Sequence, residues 1–295
     1  MPSGQHAQTS AVGGEQPGGR TGFVTAAGRR FHYLEWGSSS APPVVCLHGG
    51  GQTAYMYEEL AAELRGRYHV LAPDLPGHGD SGPIDVLDRI AFAETLAPFL
   101  EEFGISRCAL VGASLGGILG ITLAAARPEL VSALVLIDVG HQLEEDGVRR
   151  IMEFMTAHES FASLEEAADA VAAYLTHRRD VNLDNLRRNL RRRDDGRWEW
   201  KHDFGRMLRA QRTLAHDWRR VLAGLEQDAR RLHCPVLVLR GSASDVLSAE
   251  GAEAVAAAIP DARVATIADA GHLAAGDNPA STNARVSSFL AEVGW

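Results

Sequence analysis

The stretch VGASLGGILG, residues 111–120, decides how this chain is read. An apolar, strand-like run, RCALVGAS (107–114), leads into it, and a small-residue helical segment, LGGILGITLAAARPE (115–129), follows. Ser114 stands at the turn between them. A strand, a glycine-rich turn and a helix can hold a pyrophosphate at the helix N-terminus. GASLGG departs from that fingerprint because Ser114 takes the place of the second glycine. Asp138 does end the next strand, as a ribose-binding acid would, but the turn sits on a middle strand and not in the first βα turn. The other reading is the turn G-x-S-x-G, here Gly112-Ala113-Ser114-Leu115-Gly116. Such a turn is so tight that the residues two before and two after the serine must be small. Gly112 and Gly116 meet that need, and Gly117 allows a close approach of the helix. The serine is then held strained, with its oxygen exposed.

Outward from the turn, short apolar runs alternate with helical periodicity, which predicts a mostly parallel sheet flanked by helices. GFVTAAGRRFHYLEWG (22–37) reads as an edge hairpin turned at Ala27-Gly28. PPVVCLHGGG (42–51) is a buried strand entering a glycine loop, and YHVLAPDLPGHGDSG (68–82) is a strand ending in a polar loop. LDRIAFAETLAPFLEEFG (87–104) reads as one amphipathic helix stopped at Gly104. After VSALVLIDVG (131–140) the rhythm breaks. Residues 141–232 are helical and arginine-rich, and include the aromatic patch GRWEWKHDFGRM (196–207). The rhythm resumes at CPVLVLRGSASD (234–245) and ARVATIADAGH (262–272), before a last helix capped by Asn278 and Pro279. The expected organisation is a tail over 1–20, a core over 21–140 and 233–295, and a helical insertion over 141–232.

A serine hydroxyl at neutral pH needs a base, and the base needs an orienting acid. In an open α/β sheet such groups gather beyond the C-terminal strand ends. His272 lies there, after the last strand. His48 and His78 occupy loops at the same edge but precede the serine. Two acids follow the serine at that edge. Asp245 comes after PVLVLRGSAS on a loop long enough to reach a neighbouring loop, and is the favoured partner of His272. Asp138 is the alternative; its plain reading is a strand-end residue leading into the insertion. Asp269 and Asp277 read as turn and cap residues. Oxyanion donors are expected from the backbone N–H groups of Leu115 and Gly50, with Gly49 and Gly51 beside the latter.

With 295 residues, 45% of them hydrophobic, the chain can bury a sizeable core. A net charge of −9 argues against nucleic-acid binding. Cys46, Cys108 and Cys234 are widely spaced in apolar runs, without metal-ligand spacing, and read as buried free thiols. The polar N-terminus has no apolar signal region, and no run of about 18 apolar residues exists to span a bilayer. A soluble cytoplasmic protein is expected, with no cofactor and no metal, whose partner is a small-molecule substrate and neither nucleic acid nor membrane.

LHGGG, APDLPGHGDSG, VGASLGG, PVLVLRGSASD and AGH, in this order, resemble the α/β-hydrolase fold superfamily. The resemblance implies Ser114 as nucleophile, His272 as base, Asp245 as the usual acid and the Gly50/Leu115 oxyanion pair. It also implies that the insertion is a helical cap. Some members carry the acid after the strand that Asp138 ends here. Members that cleave epoxides or haloalkanes use an aspartate at the elbow, which Ser114 argues against. The implied activity is a serine hydrolase of a small or medium carboxylic ester or lactone. A C–C bond hydrolase or another non-ester member is the alternative within enzymes; a small-molecule receptor that kept the triad is the alternative outside them. Trp198, Trp200, Phe204 and Met207 are candidates for the pocket wall, or else pack the insertion onto the core. The arginine runs 177–180 and 187–193 could draw an anionic substrate, or form a solvated face paired with nearby acids.

Overall fold

The structure is a computed structural model that describes residues 19–84, 88–175, 181–210 and 218–295. The strands are β1 (Arg20–Ala26), β2 (Arg29–Trp36), β3 (Pro43–Leu47), β4 (His69–Pro73), β5 (Cys108–Ala113), β6 (Val131–Ile137), β7 (Leu190–Arg192), β8 (Trp198–Trp200), β9 (Val236–Gly241) and β10 (Ala262–Ile267). The helices are α1 (Glu58–Leu64), α2 (Arg89–Glu94), α3 (Leu96–Glu101), α4 (Leu115–Ala126), α5 (Glu145–Ala157), α6 (Leu164–Tyr174), α7 (Leu183–Arg188), α8 (Phe204–Ala210), α9 (Trp218–Ala229), α10 (Ala249–Ala258), α11 (Ala274–Asp277) and α12 (Pro279–Glu292). One eight-stranded sheet runs β1-β2-β4-β3-β5-β6-β9-β10. β1 and β2 form the antiparallel edge, and the pairs from β4 to β10 are parallel. The α/β fold and its mostly parallel sheet are as the alternating runs predict.

Several local readings hold. Ala27 and Gly28 both take positive φ, 46° and 77°, in a two-residue turn whose twist suits the β1–β2 pair. Asn278 accepts from Ser281 N at 3.1 Å to cap α12, with Pro279 at its first position. The helix expected over 87–104 is broken into α2 and α3. Pro98 has no N–H to give the carbonyl of Glu94, and its ring crowds that carbonyl. Thr95 marks the break, its hydroxyl donating to Phe92 O at 2.7 Å. β1 begins at Arg20, inside the span expected to be tail; residues 1–18 lie outside the described residues.

Central strands buried on both faces read as continuous apolar runs. Val44, Cys46, Val111 and Val135 pack on one side of the sheet, while Val45, Leu47, Leu110 and Leu134 pack on the other. Between β6 and β9 the chain leaves the sheet for α5–α9 and the β7–β8 hairpin. Leu225 and Ala229 of α9 belong to the same cluster as Leu119 and Leu123 of α4, so this last helix packs on the core. The rest of the segment meets the loops beyond β3, β4 and β9. Asp203 N donates to Gly77 O at 2.7 Å, Thr53 Oγ1 donates to Asn189 Oδ1 at 3.0 Å, and Arg150 pairs with Asp245. No helix among the described residues is long and apolar enough to cross a membrane.

A buried carboxylate ties the strand-end loops together. Asp74, 1% exposed, accepts from His32 Nδ1 at 2.7 Å, Ala54 N at 2.8 Å and Asp80 N at 2.9 Å. Burial, the largest single influence, would raise its pKa, but the hydrogen bond and charge of His32, the electrostatic pull of His48 and the Ala54 N–H together hold the carboxyl below its ordinary value. Asp74→Ala should leave His32 and two backbone donors unmatched and cost about 3–5 kcal/mol. Urea unfolding at pH 7 measures this as a lower midpoint with an unchanged slope.

Candidate active site

The turn after β5 places Ser114 as its sequence predicts. Ser114 has φ 47° and ψ −114°, a conformation that L-residues avoid. It survives because both flanks are fixed. Ser114 N donates to Ile137 O at 3.1 Å, continuing the ladder to β6, and Ser114 O accepts from Gly117 N and Ile118 N, starting α4. A Cβ on Gly112 would lie 2.5 Å from Gly116 O, and one on Gly116 would lie 2.0 Å from Leu47 O. Both positions therefore exclude any side chain, as the tight turn requires.

His272 follows β10, as expected, but the carboxylate on it is that of Asp138. His272 Nδ1 donates to Asp138 Oδ2 at 2.8 Å. Asp138 is fully buried and has φ 51°. Its Oδ1 accepts from Gly241 N at 2.9 Å, and its Oδ2 also accepts from Ser244 Oγ at 2.5 Å. Asp245, the favoured acid in the sequence reading, is instead paired with Arg150 of α5. The physical reason lies in the loop after β9. Ser244 Oγ, besides donating to Asp138, accepts from Val246 N and Leu247 N at 3.1 Å, which curls the loop around that hydroxyl. The helix α5 then packs so closely that a Cβ on Gly147 would lie 2.1 Å from Asp245 O. Asp277 behaves as expected of a turn residue, accepting from Gly271 N at 2.9 Å.

Ser114, His272 and Asp138 line one cavity of about 230 Å³, together with Gly50 and Leu115. Among the described residues no hydrogen bond joins Ser114 Oγ to the imidazole. Such contacts commonly tighten only once substrate is bound. The glycine loop is held from behind. His48 is fully buried; its Nε2 accepts from Leu75 N at 2.9 Å, so its proton sits on Nδ1 and is donated to Gly49 O at 2.8 Å. Gln52 N donates to the same carbonyl at 3.2 Å. In a planar trans peptide the N–H points opposite to the C=O. Clamping Gly49 O thus aims the Gly50 N–H away from His48 and Gln52 N. The Gly49 N–H itself is engaged by Gln52 Oε1 at 3.0 Å, so it does not point into the cavity as an open donor.

The rest of the wall is mostly apolar and comes largely from the insertion, with Met152, Met155, Tyr174, Trp200 and Phe204 beside the polar Asn189 and His202, and Gln52 from just after the glycine loop. Two of the four pocket candidates are thus on the cavity and two are not. Trp198 packs with Phe161 and Leu190 instead. It lies two residues, about 7 Å, back along β8 from Trp200. Met207 is buried in the main core cluster. The arginine run 187–193 is largely paired, Arg188 with Glu58, Arg191 with Glu199 and Arg193 with Asp195. Arg187 and Arg191–Arg193 are exposed, as in the plainer reading, while Arg188 is half-buried and borders a second cavity; the run 177–180 falls outside the described residues. Sequence reasoning missed Gln52 and Ser244. Gln52 directly follows the glycine loop, which was the available signal; nothing local marks Ser244.

All three cysteines are free and buried. Among the described residues His32, Asp74 and Asp80 bring ligand-type atoms within 4.8 Å of one another. His32 Nδ1 and Asp74 Oδ2 already bond each other, and Asp80 Oδ2 pairs with Lys201 Nζ at 3.0 Å.

The sequence model of the Alpha/beta hydrolase family matches residues 44–285. The chain is 36% identical to the esterase Rv0045c of Mycobacterium tuberculosis over 223 residues, 72% of this chain and 69% of that protein. A crystal structure of that esterase superposes with a TM-score of 0.70, covering 92% of this chain and 90% of the other at 31% identity. The chain is 27% identical to a 3-hydroxybutyrate-oligomer hydrolase of Cupriavidus necator, over 86% of this chain and 92% of that protein. In fold alone it is similar to E-2-(acetamidomethylene)succinate hydrolase, with a TM-score of 0.77 at 22% identity over 92% of this chain and 98% of the other.

Two measurements check the site. Asp138→Asn should lower kcat by about 10^4-fold through the wrong imidazole tautomer, while Asp245→Asn stays within about tenfold of wild type. Burial pushes the His48 imidazole below its ordinary value of 6.5. The unfolded chain then binds the extra proton, so His48 contributes full stability above pH 6.5 and loses it as pH falls from there toward the folded value. Across that window the unfolding free energy of His48→Gln, measured in urea, should show a shallower pH slope than wild type, by up to about 1.4 kcal/mol per pH unit.

Proposed function

Because the chain belongs to the alpha/beta hydrolase family, we propose that it is a serine hydrolase of a small or medium carboxylic ester or lactone, acting through Ser114, His272 and Asp138. The observation that carries this reading is the buried Asp138–His272 hydrogen bond at the edge of a cavity that also holds the strained Ser114. His272 takes the Ser114 proton on Nε2 as Oγ attacks the ester carbonyl. Asp138 accepts from Nδ1–H, which fixes the tautomer and stabilises the imidazolium. The N–H groups of Gly50 and Leu115 receive the oxyanion. The tetrahedral adduct expels the alcohol, which leaves with the proton from His272, and an acyl-enzyme remains. Water, deprotonated by the same imidazole, attacks that acyl group and releases the acid and Ser114.

The cavity supports the substrate class. A dry apolar cavity of about 150 Å³ holds benzene, so the 230 Å³ here corresponds to about nine non-hydrogen atoms. No arginine or lysine lines it among the described residues, which favours an uncharged acyl group. The named relatives, an esterase and a hydrolase of hydroxybutyrate oligomers, also cleave esters by their names. The segment between β6 and β9 acts in this reading as a cap that closes the cavity and selects the substrate.

Purified protein should turn over p-nitrophenyl acetate and butyrate, and a fluorophosphonate should label Ser114 alone. Ser114→Ala should lose the label and about a million-fold in kcat. Labelling at another residue, or ester turnover that survives Ser114→Ala, would overturn the reading.

A further inference from the structure

Gln52 occupies an unusual place. Its Oε1 accepts from Gly49 N at 3.0 Å, and a Cβ on Gly49 would lie 2.5 Å from that oxygen, so glycine at 49 is what lets the amide fold back. An N–H must face an oxygen, so the orientation of the amide is fixed, and Nε2 with its two hydrogens is turned to the other side. Among the described residues Nε2 has no acceptor. The side chain is half-buried and lines two adjoining cavities.

The first cavity is the apolar one with Ser114. The second, of about 250 Å³, shares Gln52, Met56, Asn189 and Leu273 with it. Its remaining wall is mixed, with Thr53, Asn182 and Asn185 beside the ion pair of Glu58 with Arg188. Those two charges satisfy each other, and Glu59 adds a further carboxylate to the rim, so this chamber is polar and disfavours an anionic guest. Leu115 and Ile118 border only the first cavity, whereas Leu273, Ala275 and Gly276, just after His272, border both. The wall just after His272 is therefore common to both cavities.

We infer that Gln52 is a specificity residue: it donates from Nε2 to an oxygen in the alcohol portion of the substrate, close to the ester bond. The acyl group fills the apolar chamber, and a neutral, oxygen-bearing alcohol such as an ether, a polyol or a second ester fills the polar one. This inference rests on the serine-hydrolase reading above.

The test compares butyl hexanoate with 2-methoxyethyl hexanoate, which differ by one CH2 replaced by oxygen. Each kcat/KM is divided by the ester's rate of alkaline hydrolysis to remove intrinsic reactivity. Wild type should favour the methoxyethyl ester by about tenfold, the scale of one hydrogen bond. Gln52→Glu keeps an acceptor for Gly49 N and removes the donor; Gln52→Met removes both. Any weakening of the oxyanion loop acts on both esters and cancels in the ratio. Both variants should bring the ratio to near one, so failure of either to fold leaves the measurement intact. A wild-type ratio near one, or a preference that persists in the variants, overturns the inference while p-nitrophenyl butyrate turnover leaves the serine-hydrolase reading standing. Absence of turnover on every ester overturns both.

Discussion

Helix α4 approaches the end of β3 so closely that even a methyl group on Gly116 would overlap Leu47 O. That contact, with Gly112 packed on Gly116, forces the chain to reverse direction within a few residues and drives Ser114 to positive φ. The strain is local, and the sheet and helix hydrogen bonds on either side hold it. Its effect is geometric: the serine is lifted out of the strand line into the space beyond the sheet edge, where loops from β3, β6, β9 and β10 also end. A looser turn would return the hydroxyl toward the ladder and away from the cavity that His272 also lines.

The same edge shows how a carboxylate is chosen by the loop around it. Asp138 and Asp245 follow neighbouring strands, and both could address a histidine after β10. Asp138 is fully buried and meets donors from Gly241, Ser244 and His272. Asp245 is partly exposed and holds Arg150 of α5. One carboxylate faces the imidazole, and the other anchors the segment that walls the cavity. Ser244 links the two arrangements, because its hydroxyl both donates to Asp138 and shapes the loop that carries Asp245 outward.

Behind the glycine loop, buried groups do a similar job without touching the cavity. His48 is a neutral imidazole with an acceptor used on Leu75 and a donor used on Gly49. Asp74 binds β2, the turn at Ala54 and the loop at Asp80. Hydrogen-bonded groups at such depth are costly to leave half-satisfied, which makes the loops they join rigid. The strand-end loops are thus a preorganised frame, and the wall contributed from the insertion is mostly apolar and includes the adaptable Met152 and Met155.

Much was legible in the residues themselves because it depends on neighbours in the chain. Alternating apolar runs and helical periods carry the parallel sheet, Ala27-Gly28 carries the edge hairpin, and two glycines around Ser114 carry the elbow. Strand polarity then places His272 at the right edge, since every parallel strand ends there. What depends on loop paths and side-chain directions was not legible. The imidazole meets Asp138 and not Asp245 because Ser244, three residues beyond the end of β9, curls the following loop, an effect no spacing reveals. Tertiary structure likewise decided which side chains wall the cavity. Trp200 and Phe204 line it while Trp198 and Met207 pack elsewhere, although all four are large and apolar. Local sequence determines what a segment can form, because backbone sterics and periodicity act over a few residues. Which partner a buried carboxylate or ring finally meets is set by the packing of segments far apart in the chain.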